Sequence, residues 1–261
     1  MEQVGKILFF INKNPVSSSH AGERIYRVSH CKYTPYNCSL QQLSKSIMNI
    51  NDLEKLLSVK RLGTYYNLFL TDKEKAIEYY RLNTQISESL YPLLSNLEIT
   101  LRNSIHNSFS IHYNSPDWFS QFKQPELFDQ VNVAKRKILT GHNQMTPDKV
   151  VAELTFGFWT SLLNKQYAKD FWKPLMHAFP LLDTVNKRRD KISYKLNQVR
   201  KFRNRIFHYE PICNDLAALE TNHNNILEIL NWINGDIVSW TKQIDRFDNL
   251  YERAVTLRTE I

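Results

Sequence analysis

The sequence predicts an all-α fold, and three observations support this prediction. The chain has 261 residues but only six glycines, which is few for a sheet fold with many tight turns. Long segments carry apolar residues at helical spacing, and the segments between them are short. A chain of this length can bury a sizeable core, so we expect one large domain, alone or with an extension.

The first 44 residues differ from the rest of the chain. A short apolar run at Lys6 to Ile11 and a second candidate strand at Ile25 to Tyr33 flank a serine-containing loop. This pattern fits a small hairpin and a mobile arm equally well. We therefore divide the chain into an N-terminal extension, residues 1–44, and a helical domain, residues 45–261.

Helical periodicity starts near Ser39 and defines the elements of this domain. The longest predicted helix is Asp72 to Tyr113, with Pro92 as a candidate point of interruption. Asn51 or Asp52 is a suitable N-cap for the helix before it. The other predicted helices are Leu40 to Ile47, Asn51 to Tyr66, Phe128 to Leu139, Thr146 to Asn164, Phe171 to Ala178, Thr184 to Tyr209 and Asp215 to Ile244.

A charged residue interrupts the apolar face of the helix predicted at Thr184 to Tyr209. That face consists of Leu196, Val199, Phe202, Ile206 and Phe207. On a helical wheel, Arg203 lies within the same stripe. Arginine is almost never fully buried without a partner, so the position predicts a polar seam, a partner interface or an anion site.

His208 stands at the end of the same helix, because Pro211 disfavours helical geometry at Glu210. On a regular helix its side chain points roughly 140° away from Arg203, but a frayed last turn would let the imidazole approach the guanidinium. Histidine titrates near neutral pH, and arginine presents donors that suit phosphate oxygens. The pair therefore supplies both parts of a phosphodiester-cleaving site, with a surface ion pair or a helix C-cap as the alternative.

The positive charge of the chain is concentrated in the same segment. Lys187 to Arg205 contains nine basic residues and one acid, and this excess equals the net charge of the whole chain, +8. Such a focused basic face is typical of a polyanion binder, whereas a solvated helix face usually mixes both signs. The candidate RNA-binding residues are Lys187, Arg188, Arg189, Lys195, Arg200, Lys201 and Arg205.

A second group of polar residues lies on the helix from Ile86 to Phe109. Glu98 and Arg102 are four residues apart at the border of its apolar stripe, and His106 follows one turn later. We favour an ion pair between Glu98 and Arg102 that supports the neighbouring helix. A supporting role, in which Glu98 holds Arg203 in place, is the other interpretation.

Several segments resemble one bacterial family. Arg203 to Ile212 is similar to the RNRIxHxEPI signature of Abi-like (abortive infection, AbiD/AbiF type) proteins of the HEPN superfamily. Leu90 to His106 is similar to the helix LYPxLxxLExxLRNxxH of the same family, and Leu154 to Trp159 to its LTFGFW turn. The resemblance covers about residues 50 to 242 in family order. Tyr209 stands where relatives often carry a second histidine.

The resemblance implies a HEPN-like helical bundle and an R-X4-H motif made of Arg203, Asn204 and His208. Active members of that superfamily cut RNA without a metal, generally as dimers that share one cleft, and many act in phage defence or as toxins. We accordingly expect a metal-independent endoribonuclease that uses RNA as substrate, forms a homodimer, and is open to restraint by a regulatory RNA or an antitoxin.

The alternatives belong to other functional classes. One is a non-catalytic RNA-binding protein that associates with a structured RNA, and another is a helical interaction protein whose basic face meets an acidic partner. We expect no cofactor and no metal, since the three cysteines lack CxxC or paired-histidine spacing. No apolar run approaches the ~18 residues of a membrane span, and we expect a cytoplasmic protein without a membrane partner.

Overall fold

The computed structural model describes residues 48–70, 72–142 and 144–259. In these ranges the chain is all-α, with eleven α-helices and no strand, which confirms the predicted fold class. The predicted extension, residues 1–44, and the predicted helix Leu40 to Ile47 lie outside the described residues. The helices are α1 (Ile50–Leu57), α2 (Val59–Phe69), α3 (Lys73–Tyr113), α4 (Pro125–Thr140), α5 (Pro147–Glu153), α6 (Phe156–Ser161), α7 (Ala168–Leu175), α8 (Arg189–Phe207), α9 (Leu216–Ile233), α10 (Gly235–Lys242) and α11 (Phe247–Thr259).

Helix α3 is the central element of the fold. It runs unbroken for 41 residues, and helices α2, α9 and α11 pack along it. Its buried stripe includes Ile86, Leu90, Leu97 and Ile105, and it passes through Pro92 without the interruption that we considered. Proline removes one backbone hydrogen bond and crowds the preceding turn, but burial of the leucines on both sides keeps the helix continuous.

Three predicted helices are each divided in two by local backbone chemistry. Ser58, at φ 70°, separates α1 from α2, and the N-cap of α1 is Asn49 rather than Asn51 or Asp52. Thr155 caps α6 through a hydrogen bond from the Phe158 amide, so α5 and α6 replace one predicted helix. Asn234 caps α10 in the same way and ends α9.

Other helix bounds differ from the prediction. Helix α8 starts at Arg189 rather than Thr184, because Asp183 accepts hydrogen bonds from the backbone and side chain of Asn186 and closes a turn instead. Helix α11 was not predicted. It packs on α3 and α9. Short 3₁₀ segments occur at Trp118–Gln121, Lys165–Tyr167, Met176–Ala178 and Ile212–Asn214.

A buried His–Asp pair joins α9 to the turn that precedes α11. His223 Nε2 lies 2.7 Å from Asp245 Oδ2, and its ring stacks on Phe247 with centroids 4.0 Å apart. Burial opposes ionisation of Asp245, but hydrogen bonds from His223 and from the Phe247 amide keep the pKa of this carboxyl below its ordinary value. The pair therefore fixes the start of α11 against the core.

None of the helices in the described ranges is long and apolar enough to cross a membrane.

Candidate functional site

Helix α8 ends in an ordered turn at the candidate motif. The Tyr209 amide donates to the Ile206 carbonyl at 3.0 Å, and the Glu210 amide donates to the Arg205 carbonyl at 2.9 Å. These two bonds form a Schellman motif. The His208 amide also remains bonded to the Asn204 carbonyl at 2.9 Å. The last turn is therefore not frayed, and our expectation that fraying brings His208 to Arg203 is wrong.

Tyr209 occupies the left-handed position of this motif, at φ 58°. Glycine is the usual residue there, because a side chain costs about 1–2 kcal/mol in that conformation. Neighbouring helices hold the turn in place. The guanidinium of Arg61, on α2, donates to the Tyr209 carbonyl, and the side chain of Asn83, on α3, donates to the Glu210 carbonyl at 3.3 Å.

Further bonds from α3 secure the next residues of the loop. Asn83 Oδ1 accepts a hydrogen bond from the Cys213 amide at 3.0 Å, and the Tyr79 hydroxyl donates to the Cys213 carbonyl at 2.7 Å. The Cys213 thiol is fully buried, and burial raises its pKa to about 12. This cysteine is consequently a core residue, and the backbone after His208 is fixed by α3.

Arg203 is half-buried between α8 and α3. Its Nη2 lies 3.7 Å from Glu98 Oε2, and its guanidinium carbon lies 4.3 Å from the centre of the Phe207 ring. An ion pair and a cation–π contact both offset the cost of partial burial. The position is thus a polar seam, one of the three environments that the sequence predicts for this arginine.

A groove of about 350 Å³ opens beside Arg203. Its polar lining comes from Ser95, Glu98, Arg102 and Arg203, and its apolar lining from Tyr91, Leu94, Ile99 and Phe207. We expected Phe207 to be buried, but 45% of it is exposed. Its ring lies at the rim of the groove, where it packs on Tyr91 with centroids 5.3 Å apart. Burial, and secondarily the nearby Tyr209, raises the pKa of Tyr91.

The contacts settle the choice between the two interpretations of Glu98. Its ion-pair partner in the described residues is Arg203, and not Arg102. Within the described residues the side-chain hydrogen bond of Arg102 is a long one, 3.4 Å from its Nε to Asn103 Oδ1. The predicted Glu98–Arg102 ion pair is therefore wrong, whereas both side chains do line the groove at Arg203.

His208 and Asn204 are exposed, and neither lines this groove. The described residues provide no hydrogen-bond or ion-pair partner for the His208 side chain. Because α8 is regular up to Phe207, Arg203 and His208 point to different sides of the helix, about 140° apart. A single chain accordingly presents an available imidazole and a partly paired guanidinium, without contact between them.

Most of the predicted RNA-binding residues already have partners within the chain. Arg188 pairs with Asp190 at 2.8 Å, and Arg189 donates to the Leu163 carbonyl. Arg205 binds Glu210 at 3.0 Å and the Pro211 carbonyl at 3.2 Å. Lys195 pairs with Glu228, and Arg200 donates to Asn197. Of the seven, only Lys187 and Lys201 lack such a partner among the described residues, and Lys201 is exposed.

His106 has a structural contact that the sequence did not indicate. The Trp118 indole N–H donates to its Nδ1 at 2.9 Å, so Nδ1 is unprotonated and the ring is neutral in this arrangement. Burial lowers the pKa of His106, while Asp148 acts in the opposite direction. The residue docks the 3₁₀ segment that contains Trp118 onto α3.

Sequence reasoning missed three residues of the site: Arg61, Asn83 and Tyr91. Arg61 and Asn83 act on backbone carbonyls more than 120 residues away, and a contact at that separation leaves no periodic signal. Tyr91 lies on the same helix as Glu98 and Arg102, but only the fold shows that it faces Phe207.

In the described ranges no group of three or more histidine, cysteine, aspartate or glutamate side chains is placed to hold a metal ion. Comparison of the chain with protein-family models, with curated proteins and with solved structures finds no match.

Proposed function

We propose that the protein is a metal-independent endoribonuclease of the HEPN type that acts in phage defence or as a toxin. The observation that carries this proposal is the availability of His208. Its imidazole is exposed, has no partner among the described residues, and sits on an ordered helix end five residues after the half-buried Arg203. A proton carrier and an anion-binding group that act on the same phosphate are the minimum set for cleavage of a phosphodiester.

In the proposed reaction the RNA 2′-hydroxyl attacks the adjacent phosphorus. His208 takes up the proton of the attacking 2′-hydroxyl or delivers a proton to the leaving 5′ oxygen, and the His208 of a second chain makes the other transfer. Arg203 stabilises charge on the phosphoryl oxygens, and Asn204 orients the phosphate or the imidazole. The bond to the 5′ oxygen breaks, which leaves a 2′,3′-cyclic phosphate and a 5′-hydroxyl. DNA lacks the attacking hydroxyl, so RNA is the proposed substrate.

Glu98 and Arg102 have supporting roles in this proposal. Glu98 limits the positions open to the Arg203 guanidinium, because its carboxylate lies 3.7 Å away. The contact is longer than the ~2.7–2.9 Å of a charge-assisted hydrogen bond, so phosphate oxygens can replace it without a large loss. Arg102 adds a second positive charge to the groove.

The separation of Arg203 and His208 on α8 favours a site built by two chains. We propose a homodimer in which the two α8 helices face each other, so that each cleft receives groups from both protomers. Exposed apolar side chains around the groove, namely Tyr91, Ile99 and Phe207, are compatible with such an interface. A regulatory RNA or an antitoxin would act by covering this surface.

Purified protein incubated with total RNA in EDTA tests the proposal. We expect cleavage with cyclic phosphate ends, and we expect His208→Ala to lose on the order of 10²-fold or more in rate, the scale of general acid–base catalysis. His177→Ala, at another exposed histidine, is the matched control and should keep full activity. Loss of activity in EDTA with recovery in magnesium would refute the mechanism.

A non-catalytic RNA-binding protein is the second candidate function. The observation that favours it is the lack of contact between Arg203 and His208 within one chain. Binding needs positive charge, whereas cleavage needs a titratable group. On this alternative, His208→Ala leaves RNA affinity unchanged, and no cyclic phosphate appears with either protein.

A further inference from the structure

A second pocket lies at the opposite end of α8 from His208. It has a volume of about 320 Å³, which is at the small end of the ~300–1,000 Å³ range of ligand sites. Helix α8 contributes Lys191, Tyr194 and Lys195, helix α9 contributes Glu228 and Trp232, and the turn before α8 contributes Asn186. This pocket shares no residue with the groove at Arg203.

The aromatic residues of the pocket are held in fixed positions. Tyr194 is 67% exposed, yet its hydroxyl accepts a hydrogen bond from Gln198 Nε2 at 2.9 Å. Trp232 is half-buried, with Phe179 packed against it at a centroid distance of 6.3 Å. An exposed aromatic ring with a restricted position is a suitable platform for a nucleobase, because every base has a π-face that can stack.

The charges in the pocket indicate a base rather than a phosphate as its occupant. Lys195 pairs with Glu228 and lies over the Trp232 ring at 5.5 Å, and Lys191 donates to Asn186. The carboxylates of Asp183 and Glu228 offset the two ammonium groups, so the pocket has little net charge. Carboxylate and amide oxygens can instead accept hydrogen bonds from the amino groups of a base edge.

The face of α8 that carries Tyr194 also carries His208. Tyr194, Lys201 and His208 follow each other at intervals of seven residues, so each lies about 20° around the helix from the one before, and Tyr194 and His208 differ by about 40°. All three are exposed, and Lys201 has no partner among the described residues. The distance from Tyr194 to His208 along the helix is about 21 Å at 1.5 Å per residue.

We propose that the pocket beside Tyr194 binds a base of the same RNA strand that reaches His208, with Lys201 contacting a phosphate between them. This inference rests on the proposed RNA ligand. At the stacked spacing of about 3.4 Å per nucleotide, the strand spans roughly six nucleotides, and fewer if it is extended. The pocket thereby sets a minimum length for tight binding of single-stranded RNA.

The test measures affinity for single-stranded 2′-O-methyl oligonucleotides of three to ten nucleotides, which cannot be cleaved by 2′-hydroxyl attack. We expect affinity to rise steeply near six nucleotides. Tyr194→Ala should lose roughly 10-fold or more for the longer oligonucleotides, on the scale of one base–aromatic stack, and nothing for the trinucleotide. Tyr194→Phe keeps the ring but loses the bond from Gln198, so it should retain most of the affinity that Tyr194→Ala loses.

The opposite results would overturn the inference: no dependence on length, an equal loss for all lengths, or unchanged affinity in Tyr194→Ala. Displacement of the oligonucleotide by an acidic peptide only when Tyr194 is intact would assign the pocket to a protein partner instead. Because the oligonucleotides are uncleavable, the proposed nuclease is tested separately. Length-dependent binding without cleavage of ordinary RNA would refute the nuclease alone, whereas cleavage with no effect of Tyr194→Ala on binding would refute the pocket alone.

Discussion

Tyr209 is the residue at which the local sequence and the fold disagree most. A Schellman turn at the end of α8 favours glycine in the left-handed position, yet a tyrosine occupies it at φ 58°. The bonds from Arg61 and Asn83 to this turn stabilise a backbone that its own residue disfavours. Strained positions of this kind are concentrated next to functional groups, and His208 is the adjacent residue.

Tyr209→Gly should therefore raise the free energy of unfolding by about 0.5–1 kcal/mol, because glycine adopts positive φ without the steric cost. The matched control is Tyr194→Gly. Tyr194 is exposed to the same extent, 67% against 68%, but it lies within a helix, where glycine is destabilising by about 0.5 kcal/mol relative to tyrosine. Urea unfolding of both variants should give changes of opposite sign, and two destabilised variants would contradict the assignment of strain.

His106 provides a pH-dependent contribution to stability. Burial lowers its pKa in the folded protein, so the unfolded chain takes up a proton more readily. Its contribution is therefore complete above the unfolded pKa of about 6.5 and is lost as the pH falls through the lowered folded pKa. Protonation of Nδ1 also breaks the bond from Trp118.

The wild type should lose more stability between pH 7.5 and pH 5.5 than His106→Asn, whose amide oxygen can still accept the indole N–H. Thermal unfolding at the two pH values measures this difference. His177→Asn, at an exposed histidine, should follow the wild type. Parallel pH profiles for all three proteins would show that His106 does not contribute.

At the scale of the element, the basic residues of α8 separate into two groups with different roles. Arg205 braces the turn after the helix through Glu210 and Pro211, whereas Lys201 faces solvent. Charge alone, which is all that the sequence displays, cannot distinguish a cation that holds the fold from one that is free to bind a ligand. The distinction depends on where the chain turns after His208.

Arg205→Ala should consequently lower the free energy of unfolding by about 1 kcal/mol, since it removes an ion pair and a hydrogen bond to a carbonyl. Lys201→Ala should leave stability within about 0.5 kcal/mol but weaken RNA binding and reduce its salt dependence by about 0.7 units of slope, one released counterion on a single strand. Filter binding across a salt series and urea unfolding measure the two effects. A reversed pattern would assign Lys201 to the fold and Arg205 to the ligand.

Sequence patterns predicted some helix bounds correctly and missed others. The prediction for α3 is correct to within one residue at its start, because a long buried leucine stripe and the capping Asp72 define it. The breaks at Ser58 and Asn234 were missed, since apolar periodicity continues across them and only the backbone angles and caps reveal the ends. Helix α11 was missed because it buries only Phe247 and Ala254, too few for a clear stripe.

The motif from Arg203 to His208 could also be predicted only in part from the sequence. The polar environment of Arg203 could be predicted from its place in an apolar stripe, and so could the end of the helix near Pro211. The ordered turn at His208 could not, because it depends on bonds from α2 and α3. The partner of Glu98 could not be predicted either, because Arg102, four residues further along the same helix, is within reach of the same carboxylate.

For the whole molecule, the proposed dimer predicts a dominant effect of an inactive chain. Wild type mixed with an excess of His208→Ala should lose activity per wild-type chain, because a mixed dimer places only one of the two imidazoles in the shared cleft, and proton removal and proton delivery there need both. Light scattering should give a dimer mass. The dissociation constant of the dimer should fall when RNA or moderate salt is present, because both reduce the repulsion between the two basic helices. A monomer that cuts RNA at full rate, undisturbed by the mutant chain, would rule out the shared cleft.

The bonds between α3 and the loop after α8 also have a consequence for the order of synthesis. They join residues 127 to 134 positions apart, so the full set of bonds from α3 to this loop cannot form until the chain has been made beyond Cys213. Domains form as the chain emerges from the ribosome, its N-terminal part first. A nascent chain that displays α3 and the groove residues of that helix therefore still lacks the ordered turn. The backbone beside His208 is therefore fixed later in synthesis than the groove residues of α3.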